Sequence, residues 1–262
     1  CAMLGKKVVQ YASRRAIMGF KKLVVALVFV ESSATAAPSF DCAVTPKDDL
    51  RITPEFVEVA GSNGLLVIYP DGTLLHDEKS VTLTPEQQAI AKKYQATVRQ
   101  DIPWLRKETG IKLQESRKVL DKVVIEAFGQ DSRILKRLSD LEKNLNQQMD
   151  TVISLKPDNV TFHAQAIKQV ETKGREIIES SLGGMLQDSI NELGQKQLLA
   201  AASGDRKKAL SGLLGNLDGF QQIIEKEWKQ QEASFNQFGQ QACNKITQME
   251  NQRVELINSL NK

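Results

Sequence analysis

Thr84-Pro85-Glu86-Gln87 divides the chain into two regimes of backbone geometry. A threonine cap, a proline at the first helical position and a glutamine three residues after the cap mark a helix start. The cap hydroxyl and the glutamine satisfy N–H groups that the first turn leaves without partners. Before this point, across 42–83, short aliphatic and β-branched runs at 50–53, 56–59, 65–69, 73–75 and 80–83 are punctuated by Gly61-Ser62-Asn63-Gly64 and Pro70-Asp71-Gly72. That pattern predicts an antiparallel meander of four or five strands. So few short strands bury too little area to stand alone, so the meander must pack on helices.

After Thr84 the chain reads as helical. Pro103 is expected to break or restart the first helix just before Trp104. Ile134, Leu138, Leu141, Leu145, Val152 and Leu155 follow alternating spacings of four and three, with Gln148 at the intervening place. This heptad-like stripe predicts a helix through 155, with the next break at Lys156-Pro157-Asp158-Asn159. A second stripe, Ile224, Trp228, Phe235, Phe238, Ala242, Ile246 and Met249, predicts a long helix over 219–260, about 60 Å at 1.5 Å per residue. Such a helix calls for an elongated shape or a helical hairpin, with both stripes turned into an intramolecular core. The fold class is α+β and predominantly α: a small N-terminal meander, 37–83, on long, partly coiled-coil-like helices over 84–262. With 7 Pro and 16 Gly thinly spread over 262 residues, no low-complexity linker separates two domains.

The N-terminal region has a different character. Met18-Gly19-Phe20-Lys21-Lys22, eight uninterrupted apolar residues over 23–30, and the small-residue exit Ala34-Thr35-Ala36 have the order of a secretory signal peptide. Cleavage is expected after Ala36, because cutting one residue later places Pro38 directly after the scissile bond. The apolar run is far short of the roughly 20 residues a membrane-spanning helix needs. Residues 1–17 read as an upstream extension beyond the natural start, and Arg14-Arg15 lacks the aromatic residue and lysine of a full twin-arginine motif. Taking away the six basic residues and one acidic residue of 1–36 leaves 29 basic and 31 acidic residues, a net of −2. Nucleic-acid binding, which needs clustered positive charge, loses its support with that segment.

Two cysteines remain, Cys42 near the start of the mature chain and Cys243 near its end. In an exported protein the pair predicts one disulfide, and closing a loop of this length is worth up to about 5 kcal/mol in the chain-entropy model. Gly239, one turn before Cys243, is expected to make room for the segment that carries Cys42.

Gly183-Gly184 is the most distinctive interior feature. Paired glycines in a helical pattern either break the helix, as a hinge, or permit a close approach by another backbone. The following Asp188, Asn191 and Glu192 are candidates for a polar contact face. Glycines 212, 215 and 219 recur at spacings of three and four among Leu210, Leu213, Leu214 and Leu217, as in a close-packing segment, a flexible link or a mobile amphipathic loop. His76 and His163 belong to no HExxH or cysteine cluster, and no nucleophile elbow, nucleotide fingerprint or phosphate loop is present. No cofactor and no metal site is therefore predicted. A catalytic site, if the chain has one, must be assembled from dispersed residues, with His163, Asp188 and Glu192 the candidates.

Four strings, Asp41-Cys42-Ala43-Val44-Thr45-Pro46-Lys47-Asp48-Asp49, Thr161-Phe162-His163, 183–192 and Glu227-Trp228-Lys229-Gln230-Gln231-Glu232, resemble the YggN-like family of uncharacterised bacterial periplasmic proteins. The resemblance covers nearly the whole mature chain. It implies an exported gammaproteobacterial protein and brings no catalytic residues with it. The expectation is a non-enzymatic periplasmic protein working through contacts with a protein partner or client, as an envelope adaptor or holdase-like binder. An enzyme or a small-ligand or lipid binder acting on envelope components is the alternative.

Overall fold

The computed structural model describes residues 42, 44–201 and 206–261, with backbone alone at 186, 193, 195–201 and 206–232. The expected signal peptide, its cleavage point, the upstream extension and the twin arginine lie outside the described residues. So do the side chains of Ile224 and Trp228.

Seven strands, β1 (Asp49–Ile52), β2 (Val57–Gly61), β3 (Gly64–Ile68), β4 (Leu74–His76), β5 (Lys79–Ser80), β6 (Ile153–Lys156) and β7 (Asn159–Phe162), form one sheet. Its order is β5-β4-β3-β2-β1-β7-β6, and the neighbouring strands pair antiparallel throughout. Gly64, at φ 88°, leaves the β2–β3 hairpin in a conformation that side chains resist. Gly72, also at φ 88°, turns the chain beneath α1 (Pro85–Phe128), where a Cβ would stand 2.4 Å from the carbonyl oxygen of Gln88. Asp71 braces that turn by accepting from the Thr73 N–H and hydroxyl, and those two bonds lower its pKa.

The helix start follows the sequence reading. Thr84 caps α1, its hydroxyl accepting from the Gln87 N–H at 3.2 Å while the Gln87 side chain accepts from the Thr84 N–H at 2.8 Å. Pro103, however, does not break the helix: α1 runs unbroken for 44 residues. The lost hydrogen bond is outweighed by packing on both sides, since Val98 and Ile102 before the proline and Leu105 after it are all buried against the sheet. A helix-breaking preference worth a few kcal/mol yields where two consecutive turns bury their apolar faces.

The helical region also contains strands that were not expected. α2 (Arg133–Val152) stops three residues short of the predicted stripe end, and the chain then forms the β6–β7 hairpin around Pro157-Asp158. Leu155, the last member of the stripe, is exposed. The strand conformation wins because β7 supplies β1 with its second neighbour, pairing Leu50 with Phe162 and Ile52 with Val160. Ile153 and Phe162 go into the core of the sheet as a result.

Among the described residues two apolar cores result. The first lies between the sheet, the N-terminal half of α1 and the C-terminal part of α4 (Arg206–Leu260), where Phe238, Ala242, Ile246 and Met249 are buried as their spacing predicts. The second joins the end of α1, α2, α3 (Ala166–Ala201) and Phe235 of α4 around Ile134, Leu138 and Leu141. Phe235 and Phe238, one turn apart, thus serve different cores. The glycine-rich stretch at 211–220 is helical backbone within α4 and not a loop. Among the described residues no helix is long and apolar enough to cross a membrane.

Candidate functional site

Cys42 and Cys243 lie at disulfide distance, with their sulfurs 2.16 Å and their Cα atoms 5.4 Å apart. The bridge carries the N-terminal segment over α4, whose Gly239 is buried one turn earlier. From Cys42 the chain continues as an extension of β1, with alternate residues Val44, Pro46 and Asp48 turned inward and Thr45 and Lys47 exposed. This is the period of a strand, but residues 44–47 make no hydrogen bond to neighbours among the described residues.

Asp48 ends the segment in a buried ionic cluster. Its Oδ2 accepts from Arg253 Nη1 at 3.0 Å, and Arg253 Nε donates to Glu250 at 2.9 Å. The Asp48 and Arg253 side chains are 4% and 9% exposed, so both charges are withdrawn from water and depend on each other. Burial works against the Arg253 charge, but Glu250 and Asp48 outweigh it and raise its pKa. The other carboxylate oxygen, Oδ1, has no hydrogen-bond donor among the described residues and faces Gly61. A Cβ on Gly61 would stand 1.9 Å from it. Tyr94 completes the group: burial, then Glu250 and Asp48, push its phenol well above the ordinary value of 10.0.

Beside this cluster lies a cavity of about 20 Å³, bounded by Pro46 and Asp48 of the segment, Tyr94 and Ile102 of α1, and Ile246 and Met249 of α4. It is the size of one water and far below the 300–1,000 Å³ of a site for a drug-sized ligand. A turn further along, Lys245 bridges α4 to the buried Asp101 of α1 at 2.5 Å and lies 4.9 Å over the Trp104 ring. Sequence reasoning missed Asp48, Tyr94, Asp101, Glu250 and Arg253. One signal was present: Arg253 falls four residues after Met249, in register with the apolar stripe of α4, where a charge needs a buried partner.

The residues singled out in sequence are dispersed. Gly183 and Gly184 lie inside the continuous α3, so they do not break it. No described residue lies within 4 Å of a Cβ on Gly183, whereas a Cβ on Gly184 would stand 2.4 Å from Arg137 Nη1. The close approach is by a side chain and not by another backbone, and it lets Arg137 of α2 reach the buried Asp188. Asn191 is exposed and accepts from Gln187 at 3.1 Å. Glu192 accepts from the Arg133 N–H at 2.7 Å, satisfying the first turn of α2.

His163 does not join Asp188 and Glu192. Its Nδ1 lies 3.0 Å from Asp49 Oδ2, whose Oδ1 accepts from the Ala164 N–H, and it precedes α3. Asp188 lies 22 residues along α3, about 33 Å from its start. The dispersed catalytic set considered from sequence is thereby not assembled. His76 lies at the β4–β5 turn, 2.9 Å from the Asn63 carbonyl oxygen. Among the described residues no three His, Cys, Asp or Glu side chains are grouped to hold a metal ion.

The chain is 37% identical over 240 residues to the uncharacterised protein YggN of Escherichia coli K12, covering 92% of this chain and 99% of that protein. The YggN proteins of E. coli O6:H1 and O157:H7 match to the same extent. No solved structure matches. Residues 42–262 match the model of a family described as "Protein of unknown function (DUF2884)", and the chain belongs to that family.

Proposed function

We propose that this protein is exported to the periplasm and acts there by binding another protein, as an envelope adaptor or a holdase-like binder, and not by catalysis. The observation that carries the reading is how the inward charges are used. Asp48–Arg253 joins the N-terminal segment to α4, Lys245–Asp101 joins α4 to α1, and Arg137–Asp188 joins α2 to α3. Each ion pair fastens one element to another, and His163 is engaged with Asp49 at the sheet.

The test has two parts. The intact mass of chain recovered from the periplasm should correspond to a product beginning at Ala37. That chain, at near-stoichiometric amounts, should slow the aggregation of a reduced model client, or else crosslink in cells to one partner in fixed ratio. Absence of both effects refutes the contact reading, and a different N-terminus refutes the cleavage point.

A further inference from the structure

The segment that runs from Cys42 to Asp48 is fastened at its two ends. At one end is the disulfide to Cys243, at the other the Asp48–Arg253 ion pair. The intervening residues 44–47 make no hydrogen bond or ion pair among the described residues, although β1, which they extend, is paired on both sides from Leu50 onward. The segment nevertheless closes something: Pro46 and Asp48 form one wall of the cavity whose other walls include Tyr94, Ile246 and Met249. Cys42 and Cys243 are both only half-buried, so a thiolate can reach the bridge.

We propose that this segment is a redox-sensitive strap, closed while the disulfide stands and released when a dithiol reduces it, uncovering the apolar wall formed by α1 and α4. One thiolate of the dithiol attacks a sulfur of the Cys42–Cys243 bond, which breaks to leave a mixed disulfide and one free cysteine. The second thiol of the dithiol then displaces the remaining cysteine. The cysteine pair gains two electrons and two protons, and the dithiol becomes a disulfide. With the covalent anchor gone, residues 44–47 keep, among the described residues, no tie but the one through Asp48. The strap is local by construction, since the second core, around Leu138 and Ile178, contains none of its residues.

The two cores each contain one buried methionine, Met249 beside the strap and Met185 in the second core, which makes an internal comparison available. The purified chain and its C42S/C243S variant are exposed to dilute hydrogen peroxide, and sulfoxide formation is followed at each methionine by peptide mass spectrometry. Release of the strap is expected to speed oxidation of Met249 at least about tenfold, the equivalent of roughly 1.4 kcal/mol of lost local protection, while Met185 changes less than twofold. Unchanged oxidation of Met249 would overturn the proposal, because the ion pair alone would then hold the segment. An equal rise at both methionines would also overturn it, because the bridge would then be a staple for the whole fold. If the variant does not fold, the methyl resonances of Met249 and Met185 in the wild-type chain, before and after dithiothreitol, decide the same question. A shift at Met249 alone that reverses on reoxidation supports the strap, and no shift or a shift at both overturns it. Neither result depends on whether the protein binds a client.

Discussion

Arg253 stands where the spacing of α4 calls for an apolar side chain, and its partners explain how the core tolerates it. Asp48 and Glu250 supply two negative charges to its one, and Tyr94 lies within the influence of all three. Burial first, and then the negative charges of Glu250 and Asp48, disfavour an ionised phenol, which is why Tyr94 is held in its neutral form. The sign of the pH dependence follows. Unfolded, the phenol releases its proton near 10, whereas in the folded chain it keeps the proton to a higher pH. Its contribution is fully present below about pH 10 and is lost above that, by up to about 1.4 kcal/mol per pH unit. Tyr94→Phe has no proton to lose. Urea unfolding between pH 8 and 11 should therefore show the wild-type chain losing stability more steeply than the variant, with the divergence confined to pH values above about 10. Parallel curves across that range would show that the folded state does not withhold the phenol from ionisation.

At the scale of elements, what could be read from sequence was local chemistry, and what could not was decided between distant segments. The start of α1 was legible because the cap, the proline and the glutamine act within one turn. The Cys42–Cys243 pairing was legible because the expected removal of the segment that carries Cys1 leaves two cysteines and one choice. The β6–β7 hairpin was not, because the stripe from Ile134 carries a helical period through Leu155, and only pairing with β1, a hundred residues earlier, converts 153–156 into strand. Continuity through Pro103 was hidden for the same reason, its cause lying in the sheet and in α4. The paired glycines of α3 show how neighbouring residues of one type part company. Gly183→Ala adds a methyl where no described residue lies within 4 Å, and it should stabilise the chain by up to about 1 kcal/mol through helix propensity. Gly184→Ala gains the same propensity but displaces Arg137 and strips a donor from the buried Asp188. Its net effect should be destabilising, leaving the two variants about 1–2 kcal/mol apart in chemical denaturation. Equal gains would mean that Arg137 finds another path to Asp188.

At the scale of the whole molecule, the described residues form two cores held in one frame. α1 passes from the first core, through Tyr94, Val98 and Ile102, to the second, through Val124 and Phe128, without interruption at Pro103. α4 contributes to both by way of Phe238 and Phe235. Unfolding one core while keeping the other would require breaking both helices in the middle, at the cost of new unpaired helix ends. The two cores should therefore unfold together. Leu138, 2% exposed, belongs to the second core alone, and Leu138→Ala should cost about 3 kcal/mol through lost burial and the cavity left behind. Trp104 packs at the first core, its ring 6.1 Å from that of Phe238, and reports on that core by fluorescence. In a Trp228→Phe background, so that Trp104 alone emits, the Leu138→Ala midpoint should fall equally by fluorescence and by far-ultraviolet circular dichroism. A fluorescence midpoint that stays in place while the helical signal falls early would mean that the cores are independent. In that case the continuity of α1 through its proline would be a matter of geometry with no energetic coupling behind it.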